Sequence, residues 1–174
     1  YVSLANNHMM DFGDIGLCDT MERLSADNIA HGGAGADLDQ ARRGTMLTVG
    51  NTKVGIVAFT DNVPEFAAAP SRPGTNFHSI HAAETTLKAI GAEVSGLRAA
   101  GAHVVVVSAH WGANFRHRPS WRFRNFARQV IDLGVDVFHG HSAHLLHGIE
   151  RRRNGVILYD AGDFLDDYWV MPGF

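Results

Sequence analysis

Three short histidine-bearing stretches stand where hydrophobic runs stop. They are Asn6-Asn7-His8 after residues 1–5, His110-Trp111-Gly112 after 104–109, and Gly140-His141-Ser142-Ala143-His144 after 135–138. In an open α/β sheet the carboxyl ends of the strands line one crevice, so residues far apart in sequence meet there. Asparagine with several histidines is a set that binds a divalent metal. A ligand placed directly after a strand, as His110 would be, is held by a rigid element, and a backbone carbonyl can orient its second ring nitrogen. His141 and His144, three residues apart, can converge on one cation or on two neighbouring ones. His139 and His147 read as supporting or surface groups. Asn7 offers a neutral oxygen ligand, and a His8 that binds no metal could donate a proton to a leaving oxygen. Taken alone, Asn6-Asn7 equally makes a capping turn. The coincidence of three such stretches favours the metal reading.

The supporting residues are less specific. Asp11, three residues after His8, and Asp163, in Gly162-Asp163-Phe164, could each orient an imidazole, cap a turn or simply be solvated. The loop after His110 carries Asn114, Arg116 and Arg118, and its arginines are the better candidates for receiving an anionic group. Arg151 to Arg153 falls in a predicted hairpin turn and reads as solvated. The mixture of arginine and aromatic residues from Trp121 to Phe126 repeats at helical spacing, which describes an amphipathic helix and not a nucleic-acid surface. Gly112 would let backbone or substrate come close. Cys18, the single cysteine, falls in a predicted helix and reads as a core thiol, and one cysteine excludes an internal disulfide framework.

The elements that must carry these residues follow from periodicity. Residues 1–5 read as the end of a buried strand, and residues 15–26 as a helix through Leu17, Met21 and Leu24. His31 to Gly35 reads as a glycine loop. Residues 45–49 and 53–60 form a hairpin around Gly50-Asn51. Residues 61–77 lose all pattern and form a long loop of the kind that covers or binds. Ile80 to Leu97 is amphipathic and helical, 104–107 a buried strand, 123–131 a helix, 135–138 another buried strand, and 148–159 a final hairpin. Helix-to-strand passages of this kind predict an α/β sandwich with a mixed, partly parallel sheet flanked by helices. The 174 residues, 45% of them hydrophobic, with a net charge of −3, suit one domain over 1–174 and imply no particular partner. The start at Tyr1, inside a strand, reads as a piece lacking its N-terminal part.

With these motifs in place, the chain resembles the CapA family of poly-γ-glutamate capsule synthesis proteins, related to calcineurin-like metallophosphoesterases. The resemblance rests on Ser3 to His8 with Asp11 and Gly13, then Gly33-Ala34-Gly35 and Ala41. It continues through His110-Trp111-Gly112, Gly140 to His144, Gly148-Ile149-Glu150 and Tyr159 to Phe164, in the family's order. It implies a metallophosphoesterase-like fold and two divalent metal ions, with Mn, Fe, Zn and Mg not distinguished. It implies Asn7, His110, His141 and His144 as ligands and His8 as the acid, with Asp11, Asn114, Arg116 and Asp163 in support or facing substrate. The implied role is synthesis or export of an anionic polymer with phosphoester-type hydrolysis, at the cell envelope, alongside membrane-associated capsule-assembly proteins and without nucleic acid. The alternative is a non-catalytic module binding the polymer or those partners; a phosphatase or nuclease unrelated to capsule is a weaker third. Two departures stand out. Ser142 occupies the first histidine position of a Gly-x-His-Pro-His pattern, and the family's upstream Gly-Asp and Asn-x-Glu motifs are absent. The 174-residue piece is therefore expected to bind metal weakly.

Overall fold

A computed structural model describes residues 1–163. In chain order the strands are β1 (Val2–Ser3), β2 (His31–Gly32), β3 (Ala34–Gly35), β4 (Thr45–Val49), β5 (Thr52–Thr60), β6 (Gly74–Thr75), β7 (Val104–His110), β8 (Val137–His141), β9 (Ile149–Arg152) and β10 (Gly155–Leu158). The helices are α1 (Gly13–Ala26), α2 (Leu38–Arg42), α3 (Ala83–Ala99) and α4 (Trp121–Asp132). Six strands form one sheet in the order β4-β5-β7-β8-β10-β9. The four inner strands run parallel, and β4 and β9 pair antiparallel at the edges. This is the mixed, partly parallel sheet that the sequence predicts.

Helices α3 and α4 link β5 to β7 and β7 to β8 as crossovers, which parallel pairing requires. In α3 the buried residues Thr86, Ile90, Val94 and Leu97 recur every three or four positions. In α4 they are Phe126, Ala127, Val130 and Ile131. Both stripes face the sheet, where they meet Val105, Val107, Phe138 and Ile157 in the main core. Helix α4 starts at Ser120, whose hydroxyl accepts from the Phe123 N–H, and stops at Gly134, which takes φ +95° beyond the last turn.

A second, smaller core holds Leu4, Leu17, Met21 and Ala34, tying α1 to the short strands. Strand β1 pairs parallel with β2, not with the main sheet. Gly33 makes the close join: a Cβ there would stand 2.7 Å from Ala5 and 2.8 Å from Ala58 on β5. The absence of a side chain thus lets the N-terminal stretch lie against the sheet, and it brings Asn7 and His8 to the ends of the strands.

Several details differ from the sequence expectation. Residues 1–5 are not uniformly buried, since Tyr1 and Val2 are exposed and only Leu4 and Ala5 are interior. The expected glycine loop at His31 to Gly35 is two two-residue strands, and α2 follows it, capped by Asp37 through the Gln40 N–H. The long loop at 61–77 contains a 3-10 turn at Pro64–Phe66 and the strand β6, which pairs with β3.

Candidate metal centre

Alternation along β7 and β8 sets the site. Val105, Val107 and Ala109 point into the core under the helices, so Ser108 and His110 share the other face. On β8, Phe138 is interior and His139 and His141 turn the opposite way. The parallel register pairs Ser108 with His139 and His110 with His141. A square of four polar side chains therefore closes the central strand pair at its carboxyl end.

Within that square His110 Nδ1 stands 3.2 Å from His141 Nδ1, with the rings edge to face. His141 Nε2 is bonded to Ser108 Oγ at 3.1 Å, which fixes the ring's orientation. Burial, reinforced by the nearby His144 and His8, pushes the His110 imidazole down to about 4. Burial, then His110 and His139, pushes His141 to about 3. Burial also lowers His139. The pair is therefore neutral at physiological pH, the form in which imidazole binds metal.

The remaining stretch contributes His8, and the turn after β8 contributes its second histidine, His144. His8 Nδ1 lies 2.8 Å from Asp11 Oδ2 on the exposed turn before α1. His144 Nδ1 lies 3.0 Å from Asp163 Oδ2 and stacks beside Phe115, with ring centroids 5.6 Å apart. Both are the carboxylate–imidazole arrangement that holds a ring in one tautomer and leaves the far nitrogen for chemistry. His8 and His144 both lie within electrostatic reach of His110. Asn7 is half-buried, and Asn114 is exposed in the loop after His110.

The chemistry of the donors fits a metal in part. Two nitrogens each about 2.0–2.1 Å from a tetrahedral ion stand about 3.3 Å apart, close to the His110–His141 spacing. Yet among the described residues no three His, Cys, Asp or Glu side chains are grouped closely enough to hold an ion as they stand. Of the four ligands implied by the resemblance, His110 and His141 stand in direct contact. His144, at a left-handed φ of 57° beyond the strand, bonds Asp163 through Nδ1.

Two acidic residues that the sequence pattern did not single out build the loops. Asp61, directly after β5, accepts from the Gly112 N–H at 2.9 Å, while its own N–H donates to the His110 carbonyl. Burial raises its carboxyl above the ordinary value. Asp160 is buried and accepts from the N–H groups of Ala143 and Gly162, tying the turn of His141 to His144 to the end of β10. Position directly after a strand, the rule that marked His110, would have marked Asp61. Asn62 bridges Ser142 Oγ and the Gly112 carbonyl. Gly112 takes φ +82°, and a Cβ there would stand 2.9 Å from Phe123, so the missing side chain lets that ring come close. Phe115, Ser142 and His144 all hold positive φ without being glycine, and such strain gathers where surrounding structure fixes a functional turn.

A cavity of about 610 Å³ lies beside the histidines, sharing the turns at Gly112 and Ala143, and is lined by Trp111, Phe123, Arg116 and Arg118. The expected anion candidates Arg116 and Arg118 thus do face a cleft. His147 is buried in its wall, donating from Nε2 to the Arg116 carbonyl at 2.6 Å, and is no surface group.

Comparison with known proteins bears on this arrangement. A family model described as bacterial capsule synthesis protein PGA_cap matches residues 1–168. A Mycobacterium tuberculosis protein named "Probable polyglutamine synthesis accessory protein" is 41% identical over 98% of this chain and 46% of its own length. The capsule biosynthesis protein CapA of Bacillus anthracis is 30% identical over 95% of this chain and 40% of its own. The chain spans about half the length of the curated relatives it matches. A Staphylococcus aureus structure assigned as a 5′-nucleotidase, in complex with alpha-ketoglutarate, matches with a TM-score of 0.56 at 16% identity, over 88% of this chain and 30% of that one. That likeness concerns the fold.

Proposed function

Because the chain belongs to the bacterial capsule synthesis protein family PGA_cap, we propose that it serves synthesis or export of an anionic cell-surface polymer through a divalent metal site at the ends of β7 and β8. The observation that carries the reading is the neutral His110–His141 pair, with nitrogens 3.2 Å apart at the carboxyl ends of adjacent parallel strands. These two residues would share one ion, with His144 and Asn7 approaching from the flanking turns. A bound metal would supply Lewis-acid stabilisation of charge on a phosphoryl-type oxygen. His8, oriented by Asp11, would deliver a proton to the leaving oxygen. Ser108 and Asp160 hold the imidazoles and the turn in place, and Arg116 and Arg118 would receive the negative charge of the substrate. Whether one ion or two bind depends on groups beyond the pair.

A second reading has its own observation. Among the described residues no three His, Cys, Asp or Glu side chains are grouped to hold an ion, and Ser142 bonds to Asn62 instead of presenting an imidazole. That arrangement suits a module that binds the polymer or capsule-assembly partners without reacting. Hydrolysis of bis(p-nitrophenyl) phosphate by the full gene product separates the two. Mn²⁺-dependent turnover that His8→Ala abolishes supports the first reading. Wild-type protein that takes up no metal, by elemental analysis, and hydrolyses nothing sinks it and leaves the second.

A further inference from the structure

The cavity beside the histidines carries more than its position. Its two acidic residues are already committed to the protein: Asp160 accepts two backbone N–H groups and Asp61 one. Its basic residues are not. Arg98, Arg128, Arg152 and Arg153 are each in an ion pair with a carboxylate, whereas Arg116 and Arg118 line the cavity with no ion pair among the described residues. His81 adds a donor. Its Nδ1 accepts from Arg122 at 2.6 Å, so the proton of the neutral ring sits on Nε2. Ser120 at the cavity edge caps α4, a helix of 12 residues with no acid in its first turn, so the helix's N-terminal end adds to the positive field. His147 is buried in the wall with Nδ1 unpaired, and its bond to the Arg116 carbonyl anchors the arginine loop. The flat walls are apolar, formed by Trp111 and Phe123.

We infer that this cavity is an oxyanion-binding pocket, in which Arg116 and Arg118 take a carboxylate or phosphoryl group while its attached chain lies against Trp111 and Phe123. The inference deepens the proposed function, since it names where the acidic part of a substrate would sit. It needs no metal and no turnover, and so stands or falls separately. His147 and Ser120 act as positioning residues for the loop and the helix end.

The test is binding by calorimetry to the metal-free chain in EDTA, with tri-glutamate and inorganic phosphate as probes, at low and high salt. Binding of either probe that weakens at least tenfold in the Arg116→Gln/Arg118→Gln double variant, and persists in His110→Ala, supports the pocket. Tri-glutamate alone assigns a carboxylate ligand, and phosphate alone a phosphoryl one. Failure of both probes to bind at millimolar concentration overturns the inference. So does equal affinity in the arginine variant, whose fold is checked by its melting curve. Loss on His110→Ala with the arginine variant unaffected would put the anion at the histidines and also overturn it. Absence of metal-dependent hydrolysis would touch only the proposed function.

Discussion

Asp160 accepts the backbone N–H of Ala143 at 2.8 Å across 17 residues of chain, and its second oxygen takes the N–H of Gly162. One buried carboxylate thereby clamps the turn between His141 and His144 to the strand that ends beside it. Hydrogen bonds to a charged group contribute about 1.5–3 kcal/mol each, and orphaned buried amides cost more. Asp160→Ala should lower the unfolding free energy by about 3 kcal/mol in urea titration and weaken metal uptake in parallel. An unchanged urea midpoint would refute the clamp.

Acid should destabilise the metal-free protein earlier than its carboxylates alone would. His110 and His141 sit at about 4 and about 3, against an ordinary value of 6.5. Between about pH 6.5 and those values the unfolded chain binds more protons than the folded one, so stability falls as pH falls through that window. Urea midpoints at pH 7.5 and 5.0, in EDTA, should show the drop, and His141→Gln should flatten it. A profile identical in the variant would remove these two rings from the account.

Two glycines should respond oppositely to one methyl group. At Gly140 a Cβ would run into the Tyr159 carbonyl oxygen and come within 2.6 Å of Trp111 Nε1, the two partners of a 3.0 Å hydrogen bond. Overpacking of this kind costs about 1–3 kcal/mol, so Gly140→Ala should reduce the melting temperature clearly. At Gly148 an added methyl group would meet open space, and the backbone there needs no positive φ. Gly148→Ala should therefore be neutral or slightly stabilising. Similar thermal shifts for the two would contradict the packing described around Trp111.

Divalent metal should stabilise the protein through the histidine pair. Mn²⁺ or Zn²⁺ is expected to raise the melting temperature of wild type, with no rise in His110→Ala or His141→Ala. His8→Ala should keep that rise while losing about a hundredfold or more in any phosphodiester turnover, the usual scale for a missing general acid. Loss of the metal shift in His8→Ala would make His8 a ligand instead of an acid.

Much of the frame was legible because long strands and helices announce themselves by period. The strand expected at 104–107 and the stripe through Ile90, Val94 and Leu97 sit where the pattern puts them, whereas the strand expected at 135–138 runs from Val137 to His141 and so carries its histidines within it. The strands β1, β2, β3 and β6 have two residues each and no period to read. Their pairing depends on Gly33 approaching Ala5 and Ala58, a contact set by tertiary structure. Within the site, residues ending strands were readable. Ser108 was not singled out, and His139 was read only as a supporting or surface group, although alternation from His110 and His141 puts both on the same face. Asp160 was hidden because its partners are backbone amides, which leave no trace in side-chain spacing.

The pairing of His110 with His141 is one rung of a parallel ladder, not a meeting of two loops. Neighbouring strands lie about 4.8 Å apart whatever the surrounding sequence. The bite offered to an ion is thus inherited from the pitch of the sheet itself. Insertions at the rim would reshape what reaches an ion held there while leaving that bite alone, so loop exchange would alter selectivity without altering the pair.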